Sequence, residues 1–146
     1  MSKQVLPNDV HAVVGSVLDK MQLFAKNNRI EYTTSPDAPS TWDELKNCDP
    51  RKLVVYDGAS EQTIWGRQGN HLFRAVHDFI HIKYGLSFED ADEIEVCRLT
   101  CALLALNPIE CRVMETEIDK QIEYKNEWGW FPTNQIAFFL MNFDMR

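Results

Sequence analysis

The sequence predicts a mostly α-helical fold: a compact bundle of about five helices in a single domain over residues 1–146, with a long irregular segment after the first helix. Two observations carry this reading. Apolar residues recur at helical spacing in several long stretches, each bounded by residues that start or stop helices. Against these stands one good strand candidate, Leu53-Val54-Val55-Tyr56, too little for a sheet of any size.

The elements follow in order. Pro7 to Asn27 reads as a helix capped by Asn8 or Asp9, with Val10, Val14, Val17, Met21 and Leu23 in a broad apolar stripe and His11 on its surface. From Asn28 to Gly69 the pattern breaks. Ser35 to Ser40 is loop chemistry, Ser40 or Thr41 caps a short helix, and Ile30 to Thr33 is the nearest partner for the 53–56 strand. This excursion is expected to wrap the helices and wall one side of the site. A central helix runs from Gly69 to Tyr84 and is ended by Gly85. Ser87 is the expected cap of the next, which carries Glu89, Asp90, Asp92 and Glu93 early, runs through Leu106, and is apolar nearly all round, hence central. Asn107-Pro108 starts a third, running to about Lys125. Trp128 to Pro132 is an aromatic turn, suited to sealing the bundle or meeting a partner. Thr133 or Asn134 then caps a last helix, Gln135 to Phe143.

Composition narrows the function classes. The chain is 45% apolar and 25% charged, as globular domains are. A net charge of −7 argues against a sequence-independent grip on nucleic-acid backbones. No apolar run is long enough for a membrane span, and MSKQVLPNDV has no apolar leader core. The four cysteines form no CxxC pair. A reducing cytoplasm is the expected setting. Oligomeric state stays open.

The chemistry concentrates in Asn70 to His81, where three of the four histidines lie. On a helix of about 100° per residue, Asn70, Arg74, His77 and His81 share a stripe, with His71 and Asp78 beside it. His77 and His81 have the i, i+4 spacing that aims two imidazoles at one ion, as in HExxH zinc sites, with Asp78 in place of the glutamate. His77-Asp78 also matches the two-residue core of HD phosphohydrolases. In an antiparallel hairpin turning at 85–87, His81 is level with Glu93 and His77 with Cys97. The resulting His77/His81/Glu93 set suits a divalent metal, zinc, iron or manganese. A closed His77/His81/Cys97/Cys101 set is the less natural alternative, since Cys101 lies about 6 Å further along its helix. Glu117, with Gln121 one turn on, is placed inward as a further carboxylate, whereas Glu110, Glu115 and Glu123 belong on a solvated face. Arg74 either pairs with Asp78 or Glu93 or holds an anionic substrate group, and Trp65 is placed to cover the stripe. The same residues can instead form a polar network that binds nothing.

Five stretches, YDGASEQTIW, NHLFRAVHDFIH, FEDADE, ETEIDKQIEY and GWFPTNQ, together resemble a group of small proteins of tailed bacteriophages that share an FRAxHDxxH-type helix. That pattern carries a glycine where this chain has Lys120. The resemblance implies a phage protein in the host bacterial cytoplasm and a host-takeover or anti-defence context. It carries no catalytic residues.

The functional expectation is a metal-dependent hydrolase: His77 and His81 as ligands with Glu93 or Glu117 as the carboxylate ligand, Asp78 or the remaining acid orienting a bound water or taking its proton, Arg74 holding the anion of a phosphoester. The alternative is a non-enzymatic acidic effector that binds and inhibits a host protein.

Overall fold

In the computed structural model, which describes residues 7–58, 61, 63–129, 131–132 and 134–143, helix accounts for 65% of the chain. The elements run α1 (Asn8–Asn27), β1 (Glu31–Ser35), α2 (Trp42–Leu45), β2 (Lys52–Tyr56), α3 (Gly66–Tyr84), α4 (Asp90–Leu103) and α5 (Pro108–Glu115). A π-helical turn, Thr116–Lys120, joins α5 directly to α6 (Gln121–Trp128), and α7 (Gln135–Asn142) follows. The leader stretch 1–6, Trp130 of the aromatic turn and the alternative cap Thr133 lie outside the described residues. Among the described residues no helix is long and apolar enough to cross a membrane.

The core forms around α3. Leu72, Ala75, Val76, Phe79 and Ile80 make its apolar side, and they meet the buried stripe of α1 at Val10, Val14, Val17 and Met21. At Gly69 a Cβ would stand 3.0 Å from Leu18 Cδ2, so the missing side chain lets α1 come close. Leu23, placed in the α1 stripe from its spacing, is 57% exposed. Neither Asn8 nor Asp9 caps α1; Pro7 precedes it with extended backbone, and Asp9 accepts only from the neighbouring Val10 N–H.

Four further expectations need correction. The segment after α1 is more regular than a long irregular excursion: the pairing expected of Ile30–Thr33 with the 53–56 strand forms, β1 and β2 running parallel with Tyr32 opposite Leu53 and Thr34 opposite Val55, and α2 lies in the crossover. Leu53 and Val55 point inward while Lys52, Val54 and Tyr56 face out, the period-2 alternation of a strand with one buried face. Second, α4 is not central. Only Val96, Cys97 and Thr100 are buried on it, and Ile94 is half exposed. Third, Ser87 does not cap α4. Its backbone N–H and hydroxyl donate to Asp92 Oδ2 at 2.9 and 2.7 Å, bracing the loop just before the helix begins at Asp90. Fourth, Glu110 is 1% exposed rather than solvated. It closes a capping box with Asn107, and its carboxylate accepts from Lys20 and Ser16 of α1, both at 2.6 Å. Partners on another element, invisible to helix periodicity, make that burial tolerable.

The α3–α4 corner fixes the site. Gly85 adopts φ +65°, and the Gly85 and Leu86 N–H groups donate back to the Ile82 and His81 carbonyls at 3.3 and 3.0 Å. This pair of bonds is the Schellman closure of a helix end, for which the left-handed glycine is required. Gly85→Ala is therefore expected to cost about 1–2 kcal/mol, the left-handed penalty of an L-residue, lowering Tm by about 3–6 °C. Gly85→Asn should cost less, and thermal melts of the two variants check the ranking.

Candidate metal centre

Three elements converge at the corner. From α3 come His77 and His81, one turn apart; from α4 comes Glu93; and the turn between them contributes the Leu86 carbonyl. His77 Nε2 lies 3.0 Å from His81 Nε2 and 3.0 Å from Glu93 Oε1, and His81 Nε2 lies 2.7 Å from the same oxygen. The level pairing of His81 with Glu93 across the hairpin is what brings the carboxylate in.

The protons are the informative part. His81 Nδ1 sits 2.7 Å from the Leu86 carbonyl oxygen, which can only accept, so Nδ1 carries the hydrogen. In the neutral imidazole Nε2 is then a bare lone pair, and it faces a carboxylate oxygen and a second imidazole nitrogen. Three electron-rich atoms at 2.7–3.0 Å need positive charge among them, supplied by a proton or by a metal ion. Donors about 2.0–2.2 Å from a shared ion stand about 2.8–3.1 Å apart along the edges of an octahedron and about 3.3–3.6 Å apart along those of a tetrahedron. The observed edges lie at the octahedral end, with the His81–Glu93 edge slightly short. His77, His81 and Glu93 are the one group of three or more His, Cys, Asp or Glu side chains among the described residues that could hold a metal ion.

Aromatic rings hold the imidazoles in place. Phe73 stacks on His77 at 5.6 Å and is stacked in turn by Trp65 at 5.5 Å, so Trp65 covers the stripe at one remove. Phe88 meets His81 edge-on at 5.0 Å, and Trp42 of α2 stands 6.2 Å from it. The excursion after α1 thus does wall the site, through a tryptophan. The His81 side chain is fully buried, while those of His77 and Glu93 remain 18% and 22% exposed. One side of the triangle is sealed and the other reaches solvent.

Electrostatics follow from that placement. Burial pushes Glu93 up and His77 down, but their mutual bond reverses both, leaving Glu93 lowered to about 2 and His77 raised. Asp78 accepts no hydrogen bond among the described residues; burial raises its carboxyl to about 6 against the pull of His77, His81 and Arg74. His71 is buried on the far side of the stripe with Nε2 unpartnered, and His11 is exposed.

Other candidates fall elsewhere. Arg74 pairs with neither Asp78 nor Glu93: it donates to the Tyr56 carbonyl and lies 5.4 Å over the Tyr56 ring, because β2 packs against α3 at that level. Glu117 is buried as expected, yet it stays outside the triangle. The π turn carries it toward Asn70, Arg74 and Gln121 on the other side of Phe73, where burial raises its carboxyl to about 8. Cys97 interacts with Cys101 rather than with the histidines, so the sulfur-containing set is not assembled. The Leu86 carbonyl, Trp42 and Phe88 escaped the sequence reading. Only the placement of a helix-ending glycine four residues after His81 could have pointed to the first.

Compared with models of known families, with curated proteins and with solved structures, the chain finds no match in any of the three.

The shifts set a pH window for the metal-free protein. Glu93, held low, stabilises the fold above its ordinary value of 4.5 and loses that contribution as pH falls toward 2. His77, held high, stabilises below its ordinary 6.5 and loses that contribution as pH rises past its folded value. In the presence of chelator, the advantage of the native chain over Glu93→Gln should peak between about pH 4.5 and 6.5 and shrink on either side. Denaturant melts across pH check this, and an advantage still rising through pH 8 would contradict it.

Proposed function

We propose that this chain is a mononuclear metal protein whose ion is held by His77 Nε2, His81 Nε2 and Glu93 Oε1, and that it acts as a metal-dependent hydrolase with a preference for phosphoesters. The observation that carries the metal reading is the His81 Nδ1–Leu86 hydrogen bond. It fixes the tautomer that turns a lone pair toward Glu93, as outer partners do in zinc sites. Two imidazoles and one carboxylate on one face, with solvent opposite, leave positions open for water and substrate, an arrangement suited to zinc, iron or manganese.

The hydrolase reading is supported by what surrounds those open positions. A bound ion would supply a water acidified toward neutrality. Asp78, next in sequence to His77 and without a hydrogen-bond partner among the described residues, would be the residue to accept that water's proton. A dication with one carboxylate keeps a net positive charge, which favours an anionic ester over a peptide. Arg74, one turn before Asp78, spends one of its amino groups on the Tyr56 carbonyl and lines the neighbouring cavity, so holding the anion would require the rest of its fork to turn toward Asp78. The phage origin and host-cytoplasm setting in this proposal rest on the sequence resemblance.

An effector that binds a host protein is the second reading. The exposed Trp128, Phe131 and Met141 near the end of the chain favour it. Metal binding and turnover separate the two.

Two outcomes are expected. Zinc or manganese should raise the Tm of the tag-free protein, more at pH 7.5 than at pH 5.5, because the ion must displace the proton shared by the triad. His77→Ala/His81→Ala should abolish the rise. In a phosphoester screen of the loaded protein, Asp78→Asn should retain metal and lower kcat by about 10²-fold or more, the usual weight of a proton acceptor. Absence of any metal-dependent Tm change would remove the enzyme reading and leave the effector.

A further inference from the structure

On the other side of Phe73 from the triad, α3, the π turn and the start of α7 line an open cavity of about 500 Å³, with Arg74 on its wall. Its floor is polar and buried. Asn70 is 4% and Glu117 7% exposed, yet Asn70 Oδ1 and Glu117 Oε1 have no hydrogen-bond partner among the described residues. Buried polar groups left open in this way are costly unless something fills them. Beside them, the Gln121 amide reaches Glu117 Oε2 and Gln135 Oε1 only at 3.5 Å, so both glutamines can turn to a better partner. The Trp65 indole N–H lies near the carboxyl without closing a bond to it. The faces between these groups are flat and apolar, formed by the Phe73 and Phe131 rings and by Pro132.

The backbone is built to place Glu117 there. In a regular α-helix Glu117 and Gln121 already share a face; the π turn over Thr116–Lys120 widens the helix at this point and leaves Thr116, Glu117 and Ile118 buried in succession. Such turns concentrate at functional sites, and this one serves no residue of the metal triad.

We propose that this cavity is a second binding site, for an amino-bearing nucleobase. The chemistry points there on three counts. The two orphaned atoms flank the same space: Asn70 Oδ1 accepts, the Glu117 carboxyl accepts through both oxygens when ionised and through one when burial keeps it protonated, and an exocyclic amine offers two N–H donors from one nitrogen. Side-chain amides and carboxylates are the groups that read base edges, Asn and Gln against adenine, Glu against the cytosine amine. Aromatic and proline surfaces stack on the flat faces of a base. A cavity of this size lies within the range for small-molecule sites and admits a nucleoside. The site is independent of whether the triad holds metal.

The test is titration calorimetry of the full chain in chelator, with nucleosides as probes so that no phosphate engages the triad. Cytidine is compared with uridine, and adenosine with inosine, pairs that exchange an amine for a carbonyl. Cytidine or adenosine should saturate with Kd below about 1 mM, and its carbonyl counterpart should bind at least about tenfold more weakly. Glu117→Leu should lose about tenfold or more of that affinity with its circular dichroism unchanged. Should Glu117→Leu fail to fold, Gln135→Ala at the half-buried rim should weaken binding by about threefold or more. The proposal is overturned if neither cytidine nor adenosine saturates by about 10 mM, if both pairs bind alike, or if the folded variants bind as the native chain does.

Discussion

His81 ties the turn between α3 and α4 twice. Its carbonyl accepts from the Leu86 N–H, and its Nδ1–H donates to the Leu86 carbonyl. One residue therefore closes the helix, orients its own ring and fixes which nitrogen carries the proton. The other nitrogen is left facing Glu93 and His77. Because the ring is fully buried among Phe88, Trp42 and His77, its lone pair has no water to turn to. A buried acceptor facing a carboxylate is costly unless a cation or proton lies between them, so the closure that shapes the hairpin also creates the demand for charge.

That demand organises the surroundings. The two rings are held by packing rather than by further hydrogen bonds, and His77 Nδ1 is buried without a partner. Phe73 is shared, stacking on His77 on one side and lining the amide-bearing cavity on the other. The helix α3 thus carries two polar regions about 10 Å apart, Asn70 and His77 being seven residues apart at 1.5 Å per residue. Phe73 stands between them, stacked on His77 and lining the cavity.

Much of this was legible in the chain. The i, i+4 histidines, the helix-ending Gly85 and the equal spacing of His81 and Glu93 from the turn are local facts, and local facts survive folding. What escaped depends on contacts between elements. Glu110 looks like a surface acid until Lys20 and Ser16 of α1 arrive beside it. Arg74 looks like a carboxylate partner until the end of β2 presents a carbonyl. Cys97 stands level with His77, yet turns to Cys101. The apolar residues of α4 suggested a central position, but a helix is central only if neighbours surround it, and α4 lies at the edge. Glu117 was correctly placed inward, but periodicity does not say which interior it enters, and a π turn rewrites the register at that point.

X-ray absorption at the zinc K-edge of the tag-free, zinc-loaded protein tests the central claim most directly. Two imidazole nitrogens and carboxylate or water oxygens are expected at about 2.0–2.2 Å, with no sulfur shell. A shell of oxygens alone would mean adventitious surface zinc. A shell containing sulfur at about 2.3 Å would move the site to the cysteines of α4, and either result would contradict the His77/His81/Glu93 centre.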